Sequence, residues 1–267
     1  AEAAAGAGAE WGRAGSFVVP TQLWRFQARA GPAGPPCELA VRYVPQGVQT
    51  ACDPALGKLG LSLGVDLGGD EDPAWSWGHV GLHLQPGARL LAGFLLSLQG
   101  RELVRGRAVL ELGCGVGLLG PVALLAGARR VALTDFDPVV LSLCRHNQES
   151  SRAALEAALG RNTEGAISVK PLDWRCGADG VKEDSADVVL AADVVYDHGL
   201  SSALRAMLLA LTDADPKVTI LLAAQHRQEQ GPASVGSLVE DWLLGLAEEG
   251  AAGAGPPAGG RRSRSRS

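Results

Sequence analysis

Four acidic residues punctuate the middle of the chain, each inside or just beyond an apolar run: Glu111, Asp135, Asp173 and Asp193. A carboxylate accepts hydrogen bonds from hydroxyl and amino groups and stabilises a nearby cation. Two of the four have an aromatic companion, Trp174 directly after Asp173 and Tyr196 three positions after Asp193. An acid beside an aromatic ring can bond the amino group of a base and cover its face. A carboxylate with a phenol can hold and orient an amine. The five histidines (His79, His83, His146, His198 and His226) have no ligand-like spacing, and the five cysteines form no C-x-x-C pair. No metal site is expected from them.

Glu111 lies in VLELGCGVGLLG, residues 109–120, where two motifs overlap. Gly115, Gly117 and Gly120 form G-x-G-x-x-G, the spacing of a dinucleotide turn. Glu111, Gly113 and Gly115 form E-x-G-x-G, which points to S-adenosylmethionine instead. Either ligand must come close to the backbone at the carboxyl end of a strand, where glycines leave room. Asp135 follows Gly115 by 20 residues. An acid there accepts the ribose hydroxyls of either nucleoside. The pairs Asp173–Trp174 and Asp193–Tyr196 separate the two readings. An NAD enzyme has no general need for them, and no residue marks a hydride-transfer partner. Glu111, costly within an apolar strand, has a purpose beside a sulfonium or an ammonium group.

Such residues need a scaffold that gathers strand ends. Apolar runs predict strands over 108–112, 130–134, 167–171, 186–192 and 217–224. Helical patterns fall over 87–99, 118–126, 138–147 with an extension over 151–159, 200–211 and 235–247. Continuous apolar strands suit a parallel sheet covered on both faces. The expected fold class is therefore α/β, with a doubly wound, mainly parallel sheet. Short strands over 24–28 and 38–44, joined by GPAGPP, predict an N-terminal β-hairpin. The expected domains are a disordered Ala/Gly-rich N-terminus (1–16), the hairpin extension and a loop (17–78), the ligand-binding domain (79–249) and a disordered tail (250–267) ending in RRSRSRS.

A net charge of −5 gives the body no basic field for nucleic acid, although the Arg/Ser tail could recruit one. The most apolar stretch, 90–98, is too short to span a bilayer. The N-terminus has no basic or apolar region of a secretory signal. Together with the scattered cysteines, this leads us to expect a soluble protein of the cytoplasm or nucleus.

LELGCGVGLLG, LTDFD, LDW and AADVVY resemble, in this order and spacing, the seven-β-strand (class I) protein-lysine methyltransferases with a D-x-x-Y signature after the fourth strand. The resemblance covers about residues 80–230. It implies a Rossmann-like sheet, S-adenosylmethionine as cofactor and methyl transfer to a lysine ε-amine. It also implies a protein substrate of the kind such enzymes take, chaperones and translation elongation factors. Carried across, Glu111, Gly113, Gly115 and Gly117 would line the methionine moiety. Asp135 would hold the ribose, and Asp173 with Trp174 the adenine side. Asp193 and Tyr196 would face the target amine as catalytic residues. The fold leaves open transfer to histidine, arginine or a small molecule, and a non-catalytic cofactor-binding protein. The chain departs from the family pattern twice. Gln85 stands where a tryptophan is expected, and no segment after Ala247 offers the closing sixth and seventh strands. The expectation is either a truncated or alternatively ended chain, or a sheet that stops at five strands with an exposed edge.

Overall fold

The computed structural model describes residues 10–14, 17–30, 34–43, 80–177, 186–196, 198–224 and 242. Strands β1 (Glu10–Ala14), β2 (Phe17–Arg29) and β3 (Pro36–Tyr43) form an antiparallel sheet in that order. The expected hairpin is present and longer than its apolar residues alone indicate. β1 lies inside the stretch whose composition predicts disorder. Its backbone pairs with β2, Glu10 opposite Thr21, and a ladder of backbone hydrogen bonds asks little of side-chain type.

The predicted helix over 87–99 is two helices, α1 (Pro86–Leu96) and α2 (Leu98–Val104). Ser97 divides them. Its backbone is extended and its hydroxyl accepts from the Gly100 N–H at 3.2 Å, so it caps α2 rather than continuing α1. The central sheet then begins with β4 (Ala108–Leu112), followed by α3 (Leu119–Ala126) and β5 (Arg130–Asp135). Next comes α4 (Pro138–Leu159), in which the helix predicted over 138–147 and its extension over 151–159 are continuous. Asp137 caps its start, Pro138 takes the first turn, and Gly160 ends it at φ +64°. Strands β6 (Ile167–Pro171) and β7 (Val188–Ala192), helix α5 (His198–Ala214) and β8 (Thr219–Ala223) complete the order.

These five strands run parallel in the order β6-β5-β4-β7-β8. Every residue of β4 and β7 is buried, as continuous apolar strands require. Alternation sends side chains to two faces. Val109, Val131, Leu133 and Leu190 join one core with α1, α3 and α4. Leu110, Leu112 and Val189 join a second core with Leu204, Met207 and Leu208 of α5 and with Trp242. The Trp242 indole donates to the Ser201 carbonyl at 2.8 Å. The fold is thus of the expected α/β class, a doubly wound parallel sheet with a separate antiparallel unit. The rest of the predicted helix over 235–247, the loop expected within 17–78 and the tail over 250–267 lie outside the described residues. So does any closing strand after residue 224.

The antiparallel unit is tied to the core. Leu39 and Val41 of β3 are buried against α4. Asn147 of α4 accepts from the Arg42 N–H at 3.0 Å and donates to the Arg42 carbonyl at 2.9 Å. Buried Arg101 of α2 donates to the carbonyls of Leu96, Leu125 and Arg29, joining α1, α3 and β2. No helix among the described residues is long and apolar enough to cross a membrane.

Candidate functional site

Neighbours of β4 on its two sides, β5 and β7, belong to opposite halves of the sheet. The connections from them diverge, and a crevice opens at the carboxyl ends where they part. A cavity of about 200 Å³ occupies this crevice. Glu111, Gly113, Gly115, Asp135, Trp174, Asp193 and Tyr196 all line it. Seven of the residues singled out by sequence therefore meet in one place. Asp173 and Gly117 do not line it.

Gly113, Gly115 and Gly117 all have positive φ, at +68°, +52° and +77°. What surrounds each differs. A Cβ on Gly113 would lie 2.8 Å from Val194 and 3.2 Å from the Trp174 ring. A Cβ on Gly115 would lie 3.0 Å from the carbonyl of Gly81, in the turn Val80–Leu82 that approaches from before α1. A Cβ on Gly117 would lie 2.5 Å from Cys144 Sγ and from Gln148 Nε2, both on α4. Gly117, expected along the ligand, packs under α4 and does not line the cavity. The turn is anchored from outside, by Asn147 donating to the Val116 carbonyl at 2.9 Å and Gln148 to the Gly117 carbonyl at 2.8 Å.

Two buried acids sit beneath this turn. Asp135 accepts from the N–H groups of Gly115 at 3.1 Å and Asp137 at 3.2 Å. Burial nevertheless pushes its carboxyl up to about 6, against the pull of those donors. Asp137, the other acid of TDFDP, takes the capping role instead, accepting from Val139 and Val140. Glu111 is 2 % exposed and its Oε2 has no hydrogen-bond partner. Burial, and then the nearby Asp135 carboxylate, hold its carboxyl well above the usual range. A carboxylate in that condition is costly by itself and favourable beside a cation. Cys114 lies between these acids and Cys144, 3.8 Å from its sulfur. Its hydrogen bond with Cys144 and its burial raise the thiol far above the ordinary value, so it is no nucleophile.

Trp174 starts the short turn Trp174–Cys176, with its ring over Gly113 and its indole N–H buried without a partner. Asp173 faces away. Its carboxylate caps that turn through the Arg175 N–H at 2.9 Å and pairs with the Arg175 guanidinium at 2.8 Å, which holds its pKa low. Asp173, expected on the base side, is thus paired with the adjacent arginine and lies outside the cavity lining. Across the cavity, Asp193 adopts φ +54°, and its Oδ2 accepts from the Gly87 N–H at 2.5 Å, at the start of α1. Gln85 also lines the cavity. Its amide donates to the Val80 carbonyl at 3.3 Å and its Oε1 is buried without a partner.

Sequence reasoning missed part of the wall. Gly81, His83 and Leu84 close it from the α1 side, and Phe136 and Val140 from the β5 side. Phe136 is an exposed aromatic directly after Asp135, a signal available in TDFDP. Nothing in residues 80–84 marks them from sequence. Among the described residues, no three His, Cys, Asp or Glu side chains cluster as a metal site.

A parallel sheet of this order, with a glycine turn after its central strand and an acid ending the next, is the architecture of the class I methyltransferases. Residues 75–235 match the lysine methyltransferase family, and the chain belongs to it. It is similar to methyltransferase-like protein 22 of Mus musculus, with 36 % identity over 47 % of this chain and 34 % of that protein. It is 31 % identical to protein N-lysine methyltransferase METTL21A of Danio rerio, over 49 % of this chain and 55 % of the relative. With the Danio rerio electron transfer flavoprotein beta subunit lysine methyltransferase it shares 30 % identity, over 53 % and 46 %. The matched stretch thus spans about a third to a half of the length of these relatives.

Proposed function

We propose that the protein transfers a methyl group from S-adenosylmethionine to a lysine ε-amine of a protein substrate. The observation that carries this reading is the pair of buried acids under the glycine turn, one of them without a partner. S-Adenosylmethionine presents an ammonium, a sulfonium and two ribose hydroxyls, which is what such acids require. A Cβ at Gly113 or Gly115 would press on Val194, Trp174 or the Gly81 carbonyl, all walls of the same cavity. The residues present fit the cofactor. Glu111, Gly113 and Gly115 would hold its methionine end, Asp135 its ribose, and Trp174 would cover its base. When bound, the cofactor supplies an electrophilic methyl group on its sulfonium.

The remaining chemistry belongs to the chain. A lysine amine titrates at about 10.4 and arrives protonated at neutral pH. Asp193 receives this ammonium, and Tyr196 orients the nitrogen by hydrogen bonding or by packing on the lysine stem. Both line the cavity and follow β7, which β4 separates from β5 and Asp135. Once a proton has left to solvent, the nitrogen lone pair is free for in-line attack, and the walls fix its direction. Val80, Gly81 and Trp174 form part of the cavity wall. The names of the relatives support a protein as substrate. The four cysteines described are all free, which supports a reducing compartment, cytoplasm or nucleus.

Incubation of the full chain with tritiated S-adenosylmethionine and a cell lysate tests the proposal. The label is expected on a discrete protein band, on lysine by mass spectrometry. Label on another residue type would refute the lysine assignment. Failure to bind S-adenosylhomocysteine by titration calorimetry would refute the cofactor assignment. Asp193→Ala should abolish transfer while changing that binding little, and undiminished turnover would remove Asp193 from the acceptor side.

A further inference from the structure

Gly87 occupies the first turn of α1, where alanine would be the better helix former. A Cβ built there would lie 2.6 Å from Asp193 Oδ2 and 2.8 Å from Oδ1. No real side chain tolerates that approach without displacing the carboxylate. The Gly87 N–H, one of the donors that a helix start leaves without an intrahelical partner, donates to the same Oδ2. Asp193 itself holds a left-handed backbone at φ +54°, a conformation that disfavours residues with a side chain. Two locally unfavourable choices, 106 residues apart in sequence, therefore meet at one hydrogen bond. Local rules broken together in this way concentrate at working sites. Gln85 and Ala88, on either side of Gly87, both face the cavity.

We propose that Gly87 is a positioning residue for methyl transfer: the first turn of α1 holds the Asp193 carboxylate at the acceptor side, in the space that a side chain at 87 would take. This inference rests on the reading of Asp193 as the acceptor-side acid. It makes α1 part of the catalytic geometry, although no α1 side chain need touch the reacting atoms.

Four full-length proteins test it: the wild type, Gly87→Ala, Asp193→Gly and the double variant. With Asp193 present, Gly87→Ala is expected to lower the melting temperature. In the Asp193→Gly background the same change is expected to raise it, since the carboxylate is gone and alanine favours the helix. The same sign in both backgrounds overturns the proposal. If Gly87→Ala does not fold, the Asp193→Gly pair still decides, and a lowered melting temperature there overturns it. A second readout separates positioning from mere stability. Gly87→Ala, assayed where it is folded, should bind S-adenosylhomocysteine within about threefold of wild type while transfer of tritiated methyl to the lysate band falls at least about tenfold. Loss of both in step overturns the positioning role. The thermal cycle involves no transfer, so its failure strikes the clamp alone. A sign reversal in that cycle combined with full transfer by Asp193→Ala strikes the reading of Asp193 and, with it, the positioning role.

Discussion

Replacing Asp135 with asparagine should change how stability responds to pH, by an amount the burial of this carboxyl sets. The comparison is best made in a Glu111→Gln background, which removes the neighbouring acid from the titration. Asp135 titrates at about 6 in the folded protein against an ordinary value of 3.8. The folded state therefore binds this proton more tightly than the unfolded state. The stability it contributes is complete below pH 3.8, declines as pH rises and is lost above about 6. Over the whole window that is about 3 kcal/mol, at ~1.36 kcal/mol per unit. Between about pH 5 and about pH 7.5 it is about 1.4 kcal/mol. Asparagine has no such slope. Its amide turns a donor toward the N–H of Gly115 or Asp137, but that cost is equal at both pH values and cancels. The stability of the variant relative to its parent should thus improve by about 1.4 kcal/mol on going from pH 5 to pH 7.5. In a domain of this size that is roughly 3–6 °C of melting temperature. Scanning calorimetry of the ligand-free proteins at the two pH values measures it. A difference that does not change with pH would refute the argument from burial. Saturating S-adenosylhomocysteine should flatten the slope of the parent, because ribose hydroxyls donating to the carboxylate favour its charged form.

Three other outcomes follow from the geometry. Gly117→Ala, which forces a methyl group to 2.5 Å from Cys144 and Gln148, should cost at least about 2 kcal/mol in chemical denaturation, since overpacking and left-handed strain act together. Asp173→Asn should change S-adenosylhomocysteine affinity less than about threefold and stability by under about 1 kcal/mol, because the pair is partly exposed, with the Arg175 side chain 49 % open to solvent. A large loss of affinity would return Asp173 to the site. Trp174→Ala should weaken S-adenosylhomocysteine at least about tenfold by calorimetry, from lost stacking, with a far smaller effect on melting temperature than a core substitution of the same size.

The sheet was legible because its strands are buried on both faces, so β4 and β7 read as unbroken apolar runs bounded by turns. The gathering of Glu111, Asp135, Trp174, Asp193 and Tyr196 was legible for a topological reason. Each lies at or near the carboxyl end of a parallel strand, and such ends share one rim. What the pattern left unread depends on partners distant in sequence. Gly117 shares its left-handed backbone with Gly113 and Gly115, and only the approach of α4 makes it a packing residue. Asp173 has the right place on the rim but pairs with a neighbour, Arg175. Gly87 carries no motif at all, and its meaning appears only when Asp193 is set against it. The break at Ser97 and the strand at residues 10–14 escaped composition because a cap and a backbone ladder decided them.

The tie between the antiparallel sheet and the core bears on where the protein can be cut. The match to the family begins at residue 75, after all of β2 and β3. Inheritance and cooperativity thus have different borders. A chain started at the first would strip the β3 cover from the apolar flank of α4. It would also leave Arg101 without the Arg29 carbonyl and Asn147 without both of its bonds to Arg42. Asn147 is also the residue that grips the glycine turn at Val116. Damage at the cut would therefore travel one side chain inward to reach the mouth of the cavity, and a fragment chosen by homology alone would test a weakened site rather than a minimal one.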